Sequence, residues 1–305
     1  LKTHRTRSWQ QVNYVICKNC QRMYQGFESE IPTICSCGEP LPQSRTFIIP
    51  VTGFIASPEV SSPGEEPPQH TYASSVYFGD YEQKKSEKYG ENTEFVLDDS
   101  LDLPTLYRYS KFGYMIMVNK GYNNGFDICK ECGYGKVVNF LVGRTQHKHK
   151  NPITGRECRG DYLRRVDLGH RYLTDVLEIR FSLPPAMRLP NPMRSLMYAL
   201  LEGASESQGI RRSDIDGTLY YRSFGEAPSI ILFDAVPGGA GHVENVKDHL
   251  RDAVLAGYKR VKDCQCGEDT SCYNCLRNYS NQRFHDELQR GYAISIMRLL
   301  LNNGI

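Results

Sequence analysis

The stretch Cys264-Gln-Cys266-Gly-Glu-Asp-Thr-Ser-Cys272-Tyr-Asn-Cys275 places four cysteines within twelve residues. Thiols at that density imply a metal or a badly strained disulfide cluster, and a tetrahedron of four thiolates around Zn²⁺ suits the spacing. An iron–sulfur cluster is the competing occupant. Zinc is favoured because two other cysteine groups along the chain also have zinc-like spacing.

The first of these is Cys17-x2-Cys20-x14-Cys35-x-Cys37. Val12–Ile16 alternates in polarity and leads into it, and Arg45–Ile49 is a short apolar run beyond it. This is the pattern of a zinc ribbon, a β-structure too small to fold without its metal. Gly38 is expected to free backbone amides toward the sulfurs. The middle group begins with Cys129-x2-Cys132 and needs two more ligands. His149 and Cys158 complete a set of three thiolates and one imidazole, with His147 as the alternative nitrogen ligand. About three zinc ions per chain follow. Four-ligand sites leave no open position for water, so the metals are expected to stabilise the fold and no catalytic residue is assigned.

The rest of the composition fits that reading. The chain has 305 residues, 40% of them hydrophobic and 24% charged, which is ordinary for a globular protein of two or three domains. Eleven cysteines, an odd number, in a chain whose first residues are basic rather than apolar argue against a secreted disulfide framework. No apolar run is long enough for a membrane helix, so a cytoplasmic protein without a membrane partner is expected. The chain opens on Leu1 rather than Met, which suggests part of a longer protein. Lys plus Arg number 37 against 35 for Asp plus Glu, so net charge points to no partner.

The expected fold class is α+β. Residues 1–56 form the zinc ribbon and residues 57–70, rich in proline, a linker. Residues 71–182 form an irregular β-rich domain with the middle zinc site, and residues 183–305 an α/β domain with the last, four-cysteine site. In the β-rich part, Tyr72–Phe78, Tyr114–Val118, Val137–Val142 and Tyr172–Phe181 look like strands, and Asp80–Glu94 like an exposed loop. In the last part, Met193, Leu196, Met197, Leu200, Leu201 and Ala204 recur at helical spacing behind Pro190 and Pro192. Ser229–Phe233 is a buried strand, followed by helices over about His242–Ala256 and Arg283–Leu301.

Between that strand and helix lies Asp234-Ala-Val-Pro-Gly-Gly-Ala-Gly-His242. A glycine-rich turn opening a helix is anion-binding geometry, so Gly238, Gly239 and Gly241 are candidate phosphate contacts. A tight packing turn is the plain alternative. A nuclease reading would gather Asp234, His242, Asp214 and Asp216 around a divalent metal. His170 and Asp175 are better read as structural. No ATPase motif is present: Gly135-Lys136 lacks a phosphate loop, and Asp286-Glu287 is not a helicase box. Any helicase activity therefore needs a motor outside these residues. Basic side chains gather near the middle group (Arg144, Lys148, Lys150, Arg156, Arg159, Arg164, Arg165) and after the last (Arg277, Arg283). These are the candidate surfaces for nucleic-acid backbone.

Taken in order, Ile231-Leu-Phe-Asp234, Pro237–His242, the four late cysteines and Asn278-Tyr-x-Asn281-Gln282 resemble the zinc-binding domain that ends MrfA-type bacterial helicases. The earlier ribbon and the middle zinc region resemble the longer form of this module, found in helicase-associated proteins such as DrmB of the DISARM anti-phage system. The resemblance implies zinc on Cys264, Cys266, Cys272 and Cys275. It also implies a DEAD/DEAH-box helicase motor in cis or in trans and work in DNA repair or antiviral defence, while the backbone contacts of the basic residues are expected to hold single- or double-stranded DNA without sequence preference. A protein-interaction scaffold on such a motor is the other expectation.

Overall fold

The computed structural model describes residues 9–50, 74–91, 94–121, 123–138, 148–160, 162–222 and 226–301. The linker 57–70, Arg144 and His147 lie outside them. The chain opens with β1 (Trp9–Ile16), β2 (Met23–Gly26) and β3 (Arg45–Pro50). β1 lies between the other two, antiparallel to both. Then come β4 (Ser74–Tyr81), the short helix α1 (Gln83–Lys88), β5 (Val96–Asp98), β6 (Thr105–Asn119), β7 (Phe126–Cys129), β8 (Gly135–Val137) and β9 (Leu163–Phe181). The last part holds α2 (Pro190–Gln208), β10 (Ile215–Tyr220), β11 (Ser229–Asp234), α3 (His242–Asp248), α4 (Leu250–Asp263) and α5 (Arg290–Leu300). The mixture is α+β, as expected. No helix among the described residues is long and apolar enough to cross a membrane.

One 11-stranded sheet joins strands from all three expected segments, and β9 is its spine. β6 runs antiparallel along β9 from Thr105 opposite Phe181 to Asn119 opposite Leu168, with a bulge between Ser110 and Gly113. β11 pairs with the C-terminal half of β9, β7 with its start, and β3 joins it in parallel through Phe47–Asp167 and Ile48–Leu168. The expected strand Tyr172–Phe181 is therefore only the apolar half of a 19-residue strand. The polar half buries its centre, Val166–Gly169, and its one buried charge has specific partners. Asp167, 1% exposed, accepts hydrogen bonds from Tyr14 Oη at 2.5 Å and from Arg45 Nε and Nη2 at 2.7 and 2.5 Å.

Three other expectations change in detail. Asp80–Glu94 is not simply a loop, since it contains the end of β4 and all of α1. The helix from His242 breaks at His249, and its second half, α4, continues to Asp263. The last helix starts at Arg290, after a single 3-10 turn at Gln282–Phe284.

Alternation along β9 gives the sheet two apolar faces. Leu177, Ile179 and Phe181 join Ile230 and Leu232 under α2, α4 and α5. Val176 and Tyr172 face the other way, with Ile231, Phe233, Phe78 and Met115. The helical layer is close-packed where α2 crosses α4. A Cβ on Gly203 would lie 2.1 Å from the Ala253 carbonyl oxygen and 2.4 Å from the Gly257 nitrogen. Helix propensity alone predicts that Gly203→Ala gains about 1 kcal/mol. The backbone contact predicts the opposite sign, a loss of about 1–3 kcal/mol from overpacking. Urea denaturation of the variant decides between them, and a stabilised Gly203→Ala protein would show that the two helices do not meet backbone to backbone.

Candidate metal centres and their surroundings

Cys17, Cys20, Cys35 and Cys37 form the first centre, with their ligand atoms all within 4.8 Å of one another. Cys17 Sγ lies 3.5 Å from Cys37 Sγ, and Cys20 Sγ 3.5 Å from Cys35 Sγ. Four sulfurs bound tetrahedrally to Zn²⁺ at about 2.3 Å are separated by roughly 3.8 Å, whereas a disulfide needs about 2.05 Å. The observed spacing fits the metal, and no cysteine is in a disulfide. The first knuckle folds back because Gln21 takes a left-handed φ of 63°, letting Cys17 N donate to Arg22 O at 3.0 Å. The amides of Cys20 and Asn19 then face the Cys17 sulfur. At the second knuckle Gly38, at φ 89°, donates its own amide to the Cys35 carbonyl, and it is the Cys37 amide that meets the Cys35 sulfur.

The middle centre gathers Cys129, Cys132, His149 and Cys158. Cys129 Sγ and Cys158 Sγ are 3.9 Å apart, and Cys132 Sγ lies 3.2 Å from His149 Nε2. Two features explain why these residues meet. Cys129 ends β7 and Cys132 sits on the turn after it, where Gly133 N donates to Cys129 O. His149 and Cys158 face each other across a short finger, with Cys158 N bonded to His149 O at 2.9 Å. Tyr134 stacks on the His149 ring with centroids 4.8 Å apart. Gly160 closes the site, since its amide reaches Cys158 Sγ at 3.3 Å and a Cβ there would press on Cys129 Sγ at 2.8 Å.

The third centre, Cys264, Cys266, Cys272 and Cys275, hangs from the end of α4. Its sulfur separations are 3.5 Å for Cys264–Cys266, 3.4 Å for Cys264–Cys272, 3.8 Å for Cys266–Cys275 and 3.9 Å for Cys272–Cys275. Arg290 ties it to the helices, donating Nε to Cys266 O at 2.6 Å and Nη1 to Val261 O at 3.1 Å.

The thiols of these centres differ in how readily they ionise. Burial pushes the Cys17 thiol up to about 11 and Cys132 up to about 12. Burial also acts to raise Cys35 and Cys264, yet both come down to about 7 because amide and hydrogen-bond donors outweigh it. Clusters in which one thiol is ready to ionise and its neighbours resist are stabilised by a divalent ion. The donor sets fit about three zinc ions per chain.

The family model described as the MrfA Zn-binding domain matches residues 196–276. The chain carries an MrfA-type zinc-binding domain. In this chain the MrfA-type domain runs from inside α2 through the third centre. The chain is also 30% identical over 218 aligned residues to Druantia protein DruE of Escherichia coli (strain UMEA 4076-1), an alignment that covers 61% of this chain and 12% of that protein. Among solved structures, the DUF1998 helicase MrfA bound to DNA aligns at 12% identity and TM-score 0.37, over 68% of this chain and 25% of that one. MrfA bound to DNA and AMPPNP aligns at TM-score 0.32. The chain thus spans about one-eighth of DruE and a quarter of MrfA.

The glycine turn of the MrfA-type domain differs from expectation. Its amides do not face outward. Gly238 N donates to Leu173 O at 2.7 Å, Gly239 N to Val236 O at 3.2 Å, and Gly241 N to Asp175 Oδ2 at 2.9 Å. Asp234, fully buried, accepts from Ala240 N at 2.6 Å, His242 N at 3.2 Å and Val243 N at 3.0 Å. The anion that the turn holds is the protein's own carboxylate pair. Burial, with Asp234 nearby, raises Asp175 above its ordinary value. Among the described residues, Asp234, His242, Asp214 and Asp216 do not assemble into a metal-holding group. His170 is exposed and stacks on Tyr172.

The basic candidates separate in space. Lys148, Lys150, Arg156 and Arg159 are exposed on and beside the finger of the middle centre. Arg164 and Arg165, consecutive on β9, point to opposite faces; one reaches Gln11 Oε1 at 2.8 Å and the other Asp127 Oδ1 at 3.3 Å. Arg277 is engaged internally, donating to Ser271 Oγ at 3.1 Å and to His285 O at 3.2 Å. The Asn278–Gln282 tail is a structural turn, with buried Asn281 donating to Leu276 O at 2.8 Å. Arg283 stays exposed and bonds to Ser75 Oγ.

Proposed function

We propose that this chain is the zinc-stabilised accessory module of a superfamily 2 DNA helicase, or of a protein that works beside one, and that it grips nucleic-acid backbone without sequence preference. The observation that carries the reading is the finger of the middle centre. His149 and Cys158 point inward to the metal, so their neighbours Lys148, Lys150 and Arg159 project into solvent. A metal-anchored finger edged with cations is suited to phosphate contacts, which give affinity but no base readout. The MrfA-type domain supports the helicase setting, in cis or in trans, and DNA is the polymer that setting offers. DNA repair or antiviral defence is the pathway in keeping with it. Eleven cysteines with no disulfide among them suit the reducing cytoplasm.

The test is fluorescence anisotropy with single- and double-stranded DNA at two salt concentrations, on protein whose zinc is counted by elemental analysis. About three zinc ions are expected, with binding that weakens with salt at a log–log slope of roughly 0.7–0.9 per phosphate contacted. Replacing Lys148, Lys150 and Arg159 together by Gln should reduce that slope by about 3. Three zinc ions with no binding at low salt would replace this reading with a scaffold docked on the motor.

A further inference from the structure

Between the first metal centre and the loop after β6 lies a concavity of about 260 Å³, lined in part by Tyr14, Lys18, Gln21, Gln43, Arg45 and Lys120. Apart from Cys17, a ligand of the first centre, its charged lining residues are cations. The nearby carboxylate, Asp167, is buried and already takes three hydrogen bonds from Tyr14 and Arg45. Arg45 also donates Nη1 to Asn123 O at 2.9 Å, which holds its guanidinium at the wall. Lys120 is half-buried, and among the described residues its ammonium has neither a hydrogen bond nor an ion pair. Burial and the neighbouring Arg45 charge hold its amine below the ordinary lysine value. Lys18 on the rim is exposed and equally without an ion pair among the described residues. The charge of Arg283, held by its bond to Ser75, also reaches Lys120. Cations from the ribbon, from the loop after β6 and from the C-terminal part therefore converge, and the one buried carboxylate beside them is already satisfied.

A half-buried ammonium whose neighbouring carboxylate, Asp167, is already committed to Tyr14 and Arg45 is costly unless an anion completes the site. The volume lies just under the roughly 300–1,000 Å³ of pockets that enclose a drug-sized ligand. Tyr14, 1% exposed, offers no face on which a base could stack. We propose that Lys18, Lys120 and Arg45 form a phosphate-binding pocket, a second contact separate from the finger of the middle centre. Its occupant is either a backbone phosphodiester, which rests on the function proposed above, or a free phosphate or mononucleotide, which does not. Lysine acts there as a point charge, while Arg45 is fixed by Asp167 and shapes the wall.

The experiment uses the full chain and the variants Lys120→Gln and Lys18→Gln, with zinc content and thermal melting recorded for each. Lys18 is exposed, so its variant keeps the test valid if Lys120→Gln folds poorly. DNA anisotropy is run beside calorimetric titration with inorganic phosphate. We expect each variant to bind DNA about tenfold more weakly at low salt, with the salt slope reduced by about 1. Unchanged DNA binding, or none even in the parent, combined with phosphate binding that both variants lose, keeps the pocket and assigns it a free phosphate ligand. If the parent binds DNA and both variants match it in both assays, the pocket is refuted while the finger survives. If the parent binds neither DNA nor phosphate, both proposals fall.

Discussion

Stripping zinc from this protein will unfold most of it in one transition, rather than loosening three separate knuckles. Cys17, Cys20, Cys35 and Cys275 belong to the same apolar body as α2, α4, α5 and the C-terminal half of β9. The first centre is also bonded across the chain, since Arg22 Nη1 donates to Ser36 Oγ at 2.6 Å and to Arg222 O at 2.7 Å. Structural zinc sites contribute roughly 10–16 kcal/mol of apparent binding energy in isolated peptides near neutral pH. A whole domain is stable by only about 5–15 kcal/mol. Loss of even one ion from the shared core therefore exceeds the margin. A strong chelator, or Cys275→Ser on its own, should abolish the cooperative thermal transition followed by circular dichroism. Colorimetric detection of released zinc gives the stoichiometry. Release of all three ions with the strand signal and the transition intact would mean that the metals decorate the fold without holding it.

The second large effect is expected at Asp234. Its carboxylate is the acceptor for the amides of Ala240, His242 and Val243, so it closes the glycine turn and starts α3 at once. In Asp234→Ala the amides of buried Val243, half-buried His242 and exposed Ala240 lose their partner, and a short helix loses the negative charge at its N-terminus. The expected cost is about 3–5 kcal/mol. It should appear as a lower urea midpoint with an unchanged slope. Asp234→Asn keeps one acceptor oxygen and should lose about half as much. A metal-dependent nuclease makes the opposite prediction. There, Asp234→Ala would be as stable as the parent and would lose only Mg²⁺- or Mn²⁺-dependent cleavage. Denaturation and cleavage measured on the same samples separate the two.

How much could be read beforehand follows from how local each feature is. The four-cysteine knuckles were legible because a zinc tetrahedron built from short loops leaves its spacing in the chain, whatever surrounds it. The choice between His149 and His147 was not, because it depends on the register of a finger that pairs His149 with Cys158. The glycine turn was recognisable as an anion cradle, but the anions come from Asp234 and from Asp175 on β9, far back in the chain. The first half of β9 was invisible for a similar reason. Arg164, Arg165, Asp167, Gly169 and His170 do not look like a strand until Tyr14 and Arg45 neutralise Asp167, and until Gly169 gives its side-chain space to the Phe47 ring. Only the sheet makes those residues extended.

That same strand sets a timetable for synthesis. β9 needs β3 on one edge, more than a hundred residues earlier, and β11 beyond it, about fifty residues later. Contacts of such sequence separation close slowly, and the C-terminal half of the spine is not complete until residues 229–234 have left the ribosome. Until then the thiols of the first knuckles emerge without the core that will bury them. Zinc captured at that stage would protect them from oxidation and hold the ribbon in register while the rest of the chain arrives.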